Sequence, residues 1–246
     1  MSKEAKFFIT DFRDYHKFVN EPVRHKEDII RILLLTLKIL LIEEKFEDED
    51  KGEVNVIVDK TSRIYFVCKE PNELPSKYYS FVFPFFLEQI NPTQWSVKCK
   101  ISSEVISTEL IDYLLVLLNK GWFSDNNINS DGIDKFACDY LDEFEEYYKL
   151  TNIIKDETTT FDVTHWSIIK TLLTFEPSYI RYDHDPKHQN GDIHPLDHLD
   201  VHYTTSGTFK LGLDNTLSLT NRLDLKTFKD ILENGKSRGD LCYKLK

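Results

Sequence analysis

RYDHDPKHQNGDIHPLDHLDVH, residues 181–202, holds His184, His188, His194, His198 and His202, five of the eight histidines in the chain. Aspartates are threaded between them. Its last part, His198-Leu199-Asp200-Val201-His202, alternates an imidazole or carboxylate with an aliphatic residue. On a β-strand that alternation sends His198, Asp200 and His202 to one face and Leu199 and Val201 to the other. Upstream, residues 178–182 read as a strand that ends at Asp183-His184-Asp185-Pro186. Pro186, Asn190-Gly191 and Pro195 make the middle a turn-rich loop, with His184 and His188 at its tip. Downstream, Thr204-Thr205-Ser206-Gly207 is a turn, and Phe209 to Leu213 is predicted to pair back as a hairpin. Strand, loop and hairpin form one β unit that can hold side chains in fixed positions.

Helical and β signals on either side of this unit set the fold class as α+β: helices packed on a mixed or antiparallel sheet, with a C-terminal hairpin and helix. IIRILLLTLKILLI, residues 29–42, is apolar nearly all round, and a helix over 26–46 is predicted to be buried between layers. It runs into the acidic stretch 43–50, read as a solvated helix end. Val54–Val58 and Ile64–Cys68 are β-branched or aromatic runs separated by Asp59-Lys60-Thr61-Ser62-Arg63, which predicts a hairpin. YYSFVFPFFL, residues 78–87, is aromatic throughout. Pro84 places it on a sheet edge or at a bend, and the absence of interleaved Arg or Lys favours core packing over base stacking. WSVKCKI, residues 95–101, alternates as a half-exposed strand. Ser107 caps a helix that runs through Leu118 and stops at Gly121.

The remaining segments carry weaker signals. Residues 5–20 suggest a short amphipathic helix or docking arm. Residues 124–132, SDNNINSDG, read as a long loop or a boundary between an N-terminal part (1–123) and a C-terminal part (133–246) of a single domain. They lack the ligand alternation and closing Glu of a calcium loop. Residues 133–150 read as a helix with an acidic face, and 163–175 as another helix.

Composition excludes several classes. The 246 residues carry 31 Lys+Arg against 42 Asp+Glu, a formal net charge of −11. Such a surface repels phosphate backbones, so no broad duplex-binding face is expected. A metal-charged nuclease site is still compatible with it. Cys68, Cys99, Cys138 and Cys242 are scattered and form no CxxC pair, as in a reduced, cytoplasmic protein. The start shows no signal peptide, and the longest apolar run is shorter than the ~18 residues a membrane span needs. There is no GxGxxG, Walker loop, GxSxG or HExxH.

The histidine-rich stretch supports three readings. His198, Asp200 and His202 suit a divalent metal, zinc or manganese, with positions left for water and with His194 as a further ligand or general base. A metal-bound hydroxide then suits phosphodiester or nucleotide hydrolysis. Alternatively a His pair does acid–base work without metal, each ring oriented by a carboxylate such as Asp183 or Asp200. Or the same groups only cap turns and brace the loop. Arg181 fits a clamp on phosphate, stabilising developing charge, and equally an ion pair with Asp183 or Asp200.

The pattern Arg181-Tyr182-Asp183-x-Asp185-Pro186, then His194-Pro195-x-x-His198-Leu199, then Phe228-x-x-Ile231-Leu232 resembles the signature of an uncharacterised bacterial family. In that family an RYD-D…HPxxHL segment precedes a PxxF…IL helix. Leu223-Asp224-Leu225 stands here where the family has a proline. The likeness covers about the last 60 residues. It implies a bacterial cytosolic protein from a mobile-element or phage-defence locus, and brings no activity with it. Two functions are therefore carried forward: a metal-assisted hydrolase, and a non-enzymatic protein partner or regulatory subunit in a toxin or defence system.

Overall fold

The computed structural model describes residues 2–42, 51–69, 74–92, 94–124, 135, 138–140, 142–143, 146, 163–190, 194–204, 207–212 and 224–232. The fold is α+β, and every strand pair in it is antiparallel. The chain groups into two compact units. One contains residues 1–12, 46–83 and 178–246, and the other residues 13–45 and 84–177. The loop predicted over 124–132 lies, apart from Ser124, outside the described residues, as do the acidic run 43–50 and most of the acidic helix.

The first unit is a seven-stranded sheet. Its strands are β1 (Lys3–Phe8), β2 (Gly52–Val58), β3 (Arg63–Cys68), β4 (Lys77–Val82), β7 (Tyr179–His184), β8 (Asp197–Thr204) and β9 (Gly207–Gly212), in the order β1-β2-β3-β4-β7-β8-β9. The hairpin predicted from the 54–68 pattern is β2–β3, in which Val54, Val56, Ile64 and Phe66 are fully buried. One face of β3, β4 and β7 presents Tyr65, Val67, Tyr78 and Tyr182. Against it packs the helix Leu225–Leu232, whose Leu225, Phe228 and Leu232 recur at i, i+3 and i+7. Phe228 is fully buried, with its ring 6.2 Å from that of Tyr78. The Lys229 ammonium lies 5.0 Å over the Tyr65 ring.

The second unit contains β5 (Phe85–Gln89) and β6 (Trp95–Cys99) as a two-stranded sheet, with α1 (Tyr15–Asn20), α2 (Lys26–Leu41), α3 (Thr108–Asn119) and α4 (Val163–Thr174); the helix on the first unit is α5. Helix α2 is buried on all sides, as its composition predicts, and even Lys38 is only 6 % exposed. The Lys38 ammonium is paired with Asp112, which also accepts from Arg13 at 2.5 Å. Ser107 caps α3 by accepting the Leu110 N–H at 3.2 Å, and Gly121, at φ +78°, lets the chain turn away after the helix.

Two expectations are corrected. Residues 3–8 are an edge strand, and only residues 12–20 of the predicted arm are helical. Phe7 and Phe8 sit among charges on a strand with a single fully buried side chain, Ala5. Of the two places expected for the aromatic run 78–87, a sheet edge or a bend, the edge is overturned and the break at Pro84 is found. The run divides at Pro84 into β4, which is central in the large sheet, and β5 in the small one. Pro84 costs no ladder hydrogen bond because β4 has already ended at Val82. Its aromatic side chains Tyr78, Tyr79, Phe81, Phe83 and Phe85 are buried, as core packing requires.

Candidate functional site

Strand register assembles the site. In the β7–β8 pair Asp183 stands opposite His198, Arg181 opposite Asp200, and Tyr179 opposite His202. Alternation puts all of these positions on one face of the sheet, away from the α5 side. On β4, Lys77 is opposite Asp183 and Tyr79 opposite Arg181. On β9, Lys210 is opposite Asp200. Lys77 opposite Asp183 and Arg181 opposite Asp200 are cross-strand pairs of opposite charge, each worth a few tenths to about 1 kcal/mol.

Arg181 sits at the centre. Its Nε donates to Asp183 Oδ2 at 2.6 Å, its Nη2 donates to Asp200 Oδ2, and its Nη1 donates to the Tyr179 hydroxyl at 3.5 Å. The side chain is 11 % exposed, and those of its two carboxylate partners 10 % and 19 %. Burial alone would lower its pKa, but Tyr179, Asp183 and Asp200 together raise it above the ordinary arginine value. The Tyr179 hydroxyl is pushed up by its own burial. Cys68 on β3 stands opposite Lys77, and burial pushes its thiol up to about 12.

His198 is 1 % exposed. Its Nδ1 lies 3.0 Å from the Pro195 carbonyl, and a carbonyl can only accept, so Nδ1 carries the proton. In the neutral ring Nε2 is then the lone-pair nitrogen, and it faces Asp183 Oδ2 at 3.6 Å. Asp183, His198 and Asp200 each offer one ligand atom, and the three atoms lie within 4.8 Å of one another. Bonds of 2.1 Å to a tetrahedral ion would separate its ligand atoms by about 3.4 Å. The donor chemistry suits a zinc- or manganese-type ion, and binding one would require the ligand atoms to draw closer together than the 4.8 Å limit within which they lie. Charge sets a condition on this fit, because Arg181 bonds Oδ2 of both carboxylates and leaves an ion their Oδ1 atoms or a shared oxygen.

The histidines do not gather at one point. His184 lies on the opposite face of β7, where Asp197 accepts from Tyr182 Oη at 2.6 Å and lies 2.9 Å from His184 Nδ1. His188 is exposed, with its ring held by Asp185 at 2.8 Å. His194 Nε2 is 3.4 Å from Asp185 Oδ2, and its ring meets that of His198 edge-on at 4.6 Å between centroids. His202 is in β8 at the position the alternation predicts, but its side chain lies outside the described residues. Of the sequence-predicted residues, the structure brings together His198, Asp200 and Arg181, with His194 beside them. Asp183, expected as an orienting carboxylate or an ion-pair partner of Arg181, pairs with Arg181 and stands with His198 and Asp200 in the ligand set. The available signal was Arg181-x-Asp183, whose i, i+2 spacing puts both on one face once the strand runs on to His184.

Asp185 carries a pH consequence. Burial alone would raise its pKa, but hydrogen bonds from the His188 side chain and backbone outweigh it and hold the carboxyl below the ordinary range. A folded pKa below the unfolded one stabilises the fold above the unfolded value, about 3.9, and that contribution is lost as pH falls through the folded value. Asp185→Asn should therefore lower stability at neutral pH, leave it little changed at the acid end, and so flatten the fall in stability below about pH 5. Thermal unfolding at a series of pH values measures this. An unchanged acid slope would place the shift elsewhere.

Comparison of the chain with protein-family models, with curated proteins and with solved structures returns no match.

Proposed function

We propose that the β7–β8 face is a divalent-metal site, and that the protein is a metal-assisted hydrolase of a phosphodiester or nucleotide. The observation that carries this is the set of three ligand atoms from Asp183, His198 and Asp200, all within 4.8 Å of one another. Two carboxylates and one imidazole suit zinc or manganese and leave coordination positions for water. The Pro195 carbonyl supports the reading by fixing the His198 tautomer, the usual outer-shell arrangement for a ligating histidine. A bound ion would supply a hydroxide nucleophile near neutral pH. In this reading Arg181 stabilises charge on the substrate, and His194 moves the proton beside His198.

The test is metal content and metal-dependent stability of tag-free protein. Zinc or manganese at 100 times its Kd should stabilise the wild type by about 2.7 kcal/mol, several degrees in Tm. Asp183→Asn and His198→Ala should abolish that shift. If the wild type binds neither ion, the proposal fails.

A second reading has its own support. Arg181 already pairs with both carboxylates, as expected of a bracing network in a non-enzymatic partner or regulatory subunit of a toxin or defence system. A stable stoichiometric partner recovered from the native host, with its association unaffected by His198→Ala, would favour this second reading.

A further inference from the structure

Away from that face, Arg63 poses a separate question. It is the first residue of β3, a central strand, and is 8 % exposed. Its Nε donates to Ser80 Oγ at 2.9 Å and its Nη2 to the Ser178 carbonyl at 2.6 Å. Both acceptors are neutral. Among the described residues no carboxylate pairs with it. The nearest in sequence, Asp59, spends its Oδ1 on the Thr61 N–H, the Thr61 hydroxyl and the Ser62 N–H of the β2–β3 turn. A buried charge without a counter-charge is costly, and burial lowers the Arg63 pKa accordingly.

The surroundings are built around this side chain. Ser80 is fully buried. Ser178 adopts φ +46°, a left-handed conformation that costs a non-glycine residue about 1–2 kcal/mol, and its carbonyl accepts from Arg63. A guanidinium has five N–H donors in a planar fork. The two bonds to Ser80 and Ser178 use one side of it. What remains is the end of the fork, both Nη1 hydrogens and one on Nη2, the geometry that grips an oxyanion with two parallel bonds. Nη1, which makes no bond to the described residues, is not among the buried polar atoms that lack a partner, so it keeps part of the residue's 8 % exposure.

We propose that Arg63, held by Ser80 and the Ser178 carbonyl, is a binding site for a carboxylate, gripped end-on by Nη1 and Nη2. One guanidinium with no second cation bonded beside it matches a monoanion better than a phosphate dianion. The carboxylate belongs either to a small organic acid or to the C-terminus of a peptide. The site is independent of the β7–β8 metal reading.

The experiment uses the full chain at constant ionic strength in chloride. Acetate, succinate and inorganic phosphate are titrated while Tm and the arginine side-chain ¹⁵N resonances are followed. Acetate and succinate should raise Tm saturably and move the Arg63 resonances. Arg63→Gln should abolish the Tm response, and Arg63→Lys should keep a weaker one. A short peptide with a free C-terminus, compared with its amide, separates the two sources: binding at least tenfold tighter than acetate by the free acid alone identifies a peptide terminus, and affinities like that of acetate identify a small acid. Phosphate saturating at tenfold lower concentration than acetate would overturn the ligand class. An unchanged response in Arg63→Gln overturns the site. Should that variant not fold, wild-type Arg63 resonances unmoved by acetate overturn it instead.

Discussion

Gly52→Ala is expected to lose at least about 3 kcal/mol of stability. Gly52 opens β2 at φ +114°, a conformation closed to residues with a side chain. A Cβ built there would lie 1.9 Å from the Val67 carbonyl oxygen and 3.0 Å from its carbon. Both contacts are with backbone, so no side chain can rotate away. Relief requires β2 and β3 to separate where Gly52 pairs with Cys68 and where its carbonyl accepts the Ile9 N–H at 3.0 Å. Urea unfolding measures the loss, and a variant within 1 kcal/mol of wild type would contradict this account.

Arg181→Met should cost about 3–5 kcal/mol, the range for breaking a buried ion network by removing one partner. Methionine keeps the apolar stem but leaves Asp183 and Asp200 without the cation that joins them. The loss comes from stranded carboxylates, so it should shrink when they are neutralised: Arg181→Met with Asp183→Asn and Asp200→Asn should be more stable than Arg181→Met alone. Denaturant melts of the series give the coupling energy. The same variant bears on the metal proposal, because it removes the competing cation. Manganese or zinc should stabilise Arg181→Met more than the wild type. Equal shifts would mean that Arg181 and the ion do not share the site.

Elements that carry their own local signal were legible in the sequence. The β2–β3 hairpin announces itself by β-branched alternation, α2 by its apolar run, and α3 by Ser107 and Gly121. Edge strand β1 does not, because an edge strand with one fully buried residue imposes no period of two on its sequence. For the aromatic run only the edge alternative failed, and for a different reason: a proline demotes a strand only if it falls within it, and β4 stops two residues short of Pro84. At the site, His198 and Asp200 could be placed on one face because alternation within a strand is local. Their partners could not. Which residues of β7 stand opposite them depends on register, set by the loop between His184 and Asp197. A shift of one residue would have offered His184 to His198 in place of Asp183. The histidine count overstated the cluster for the same reason, since His184 faces the other way.

The order of strands has a consequence for how the chain is made. β4 and β7 are neighbours in the sheet, yet residues 83–178, the bulk of the second unit, lie between them in sequence. At ~5–20 residues per second, a ribosome needs roughly 5–20 s to cross that interval. Throughout it β1 to β4 are complete while the outer edge of β4, with its tyrosines, has no strand to pair with. Such an edge invites pairing with other nascent chains. The second unit can gather its own helices meanwhile, but the large sheet closes only after Tyr179–His184 emerges. The edge of β4 is thus the one that waits longest for its neighbour during synthesis, a consequence of strand order alone.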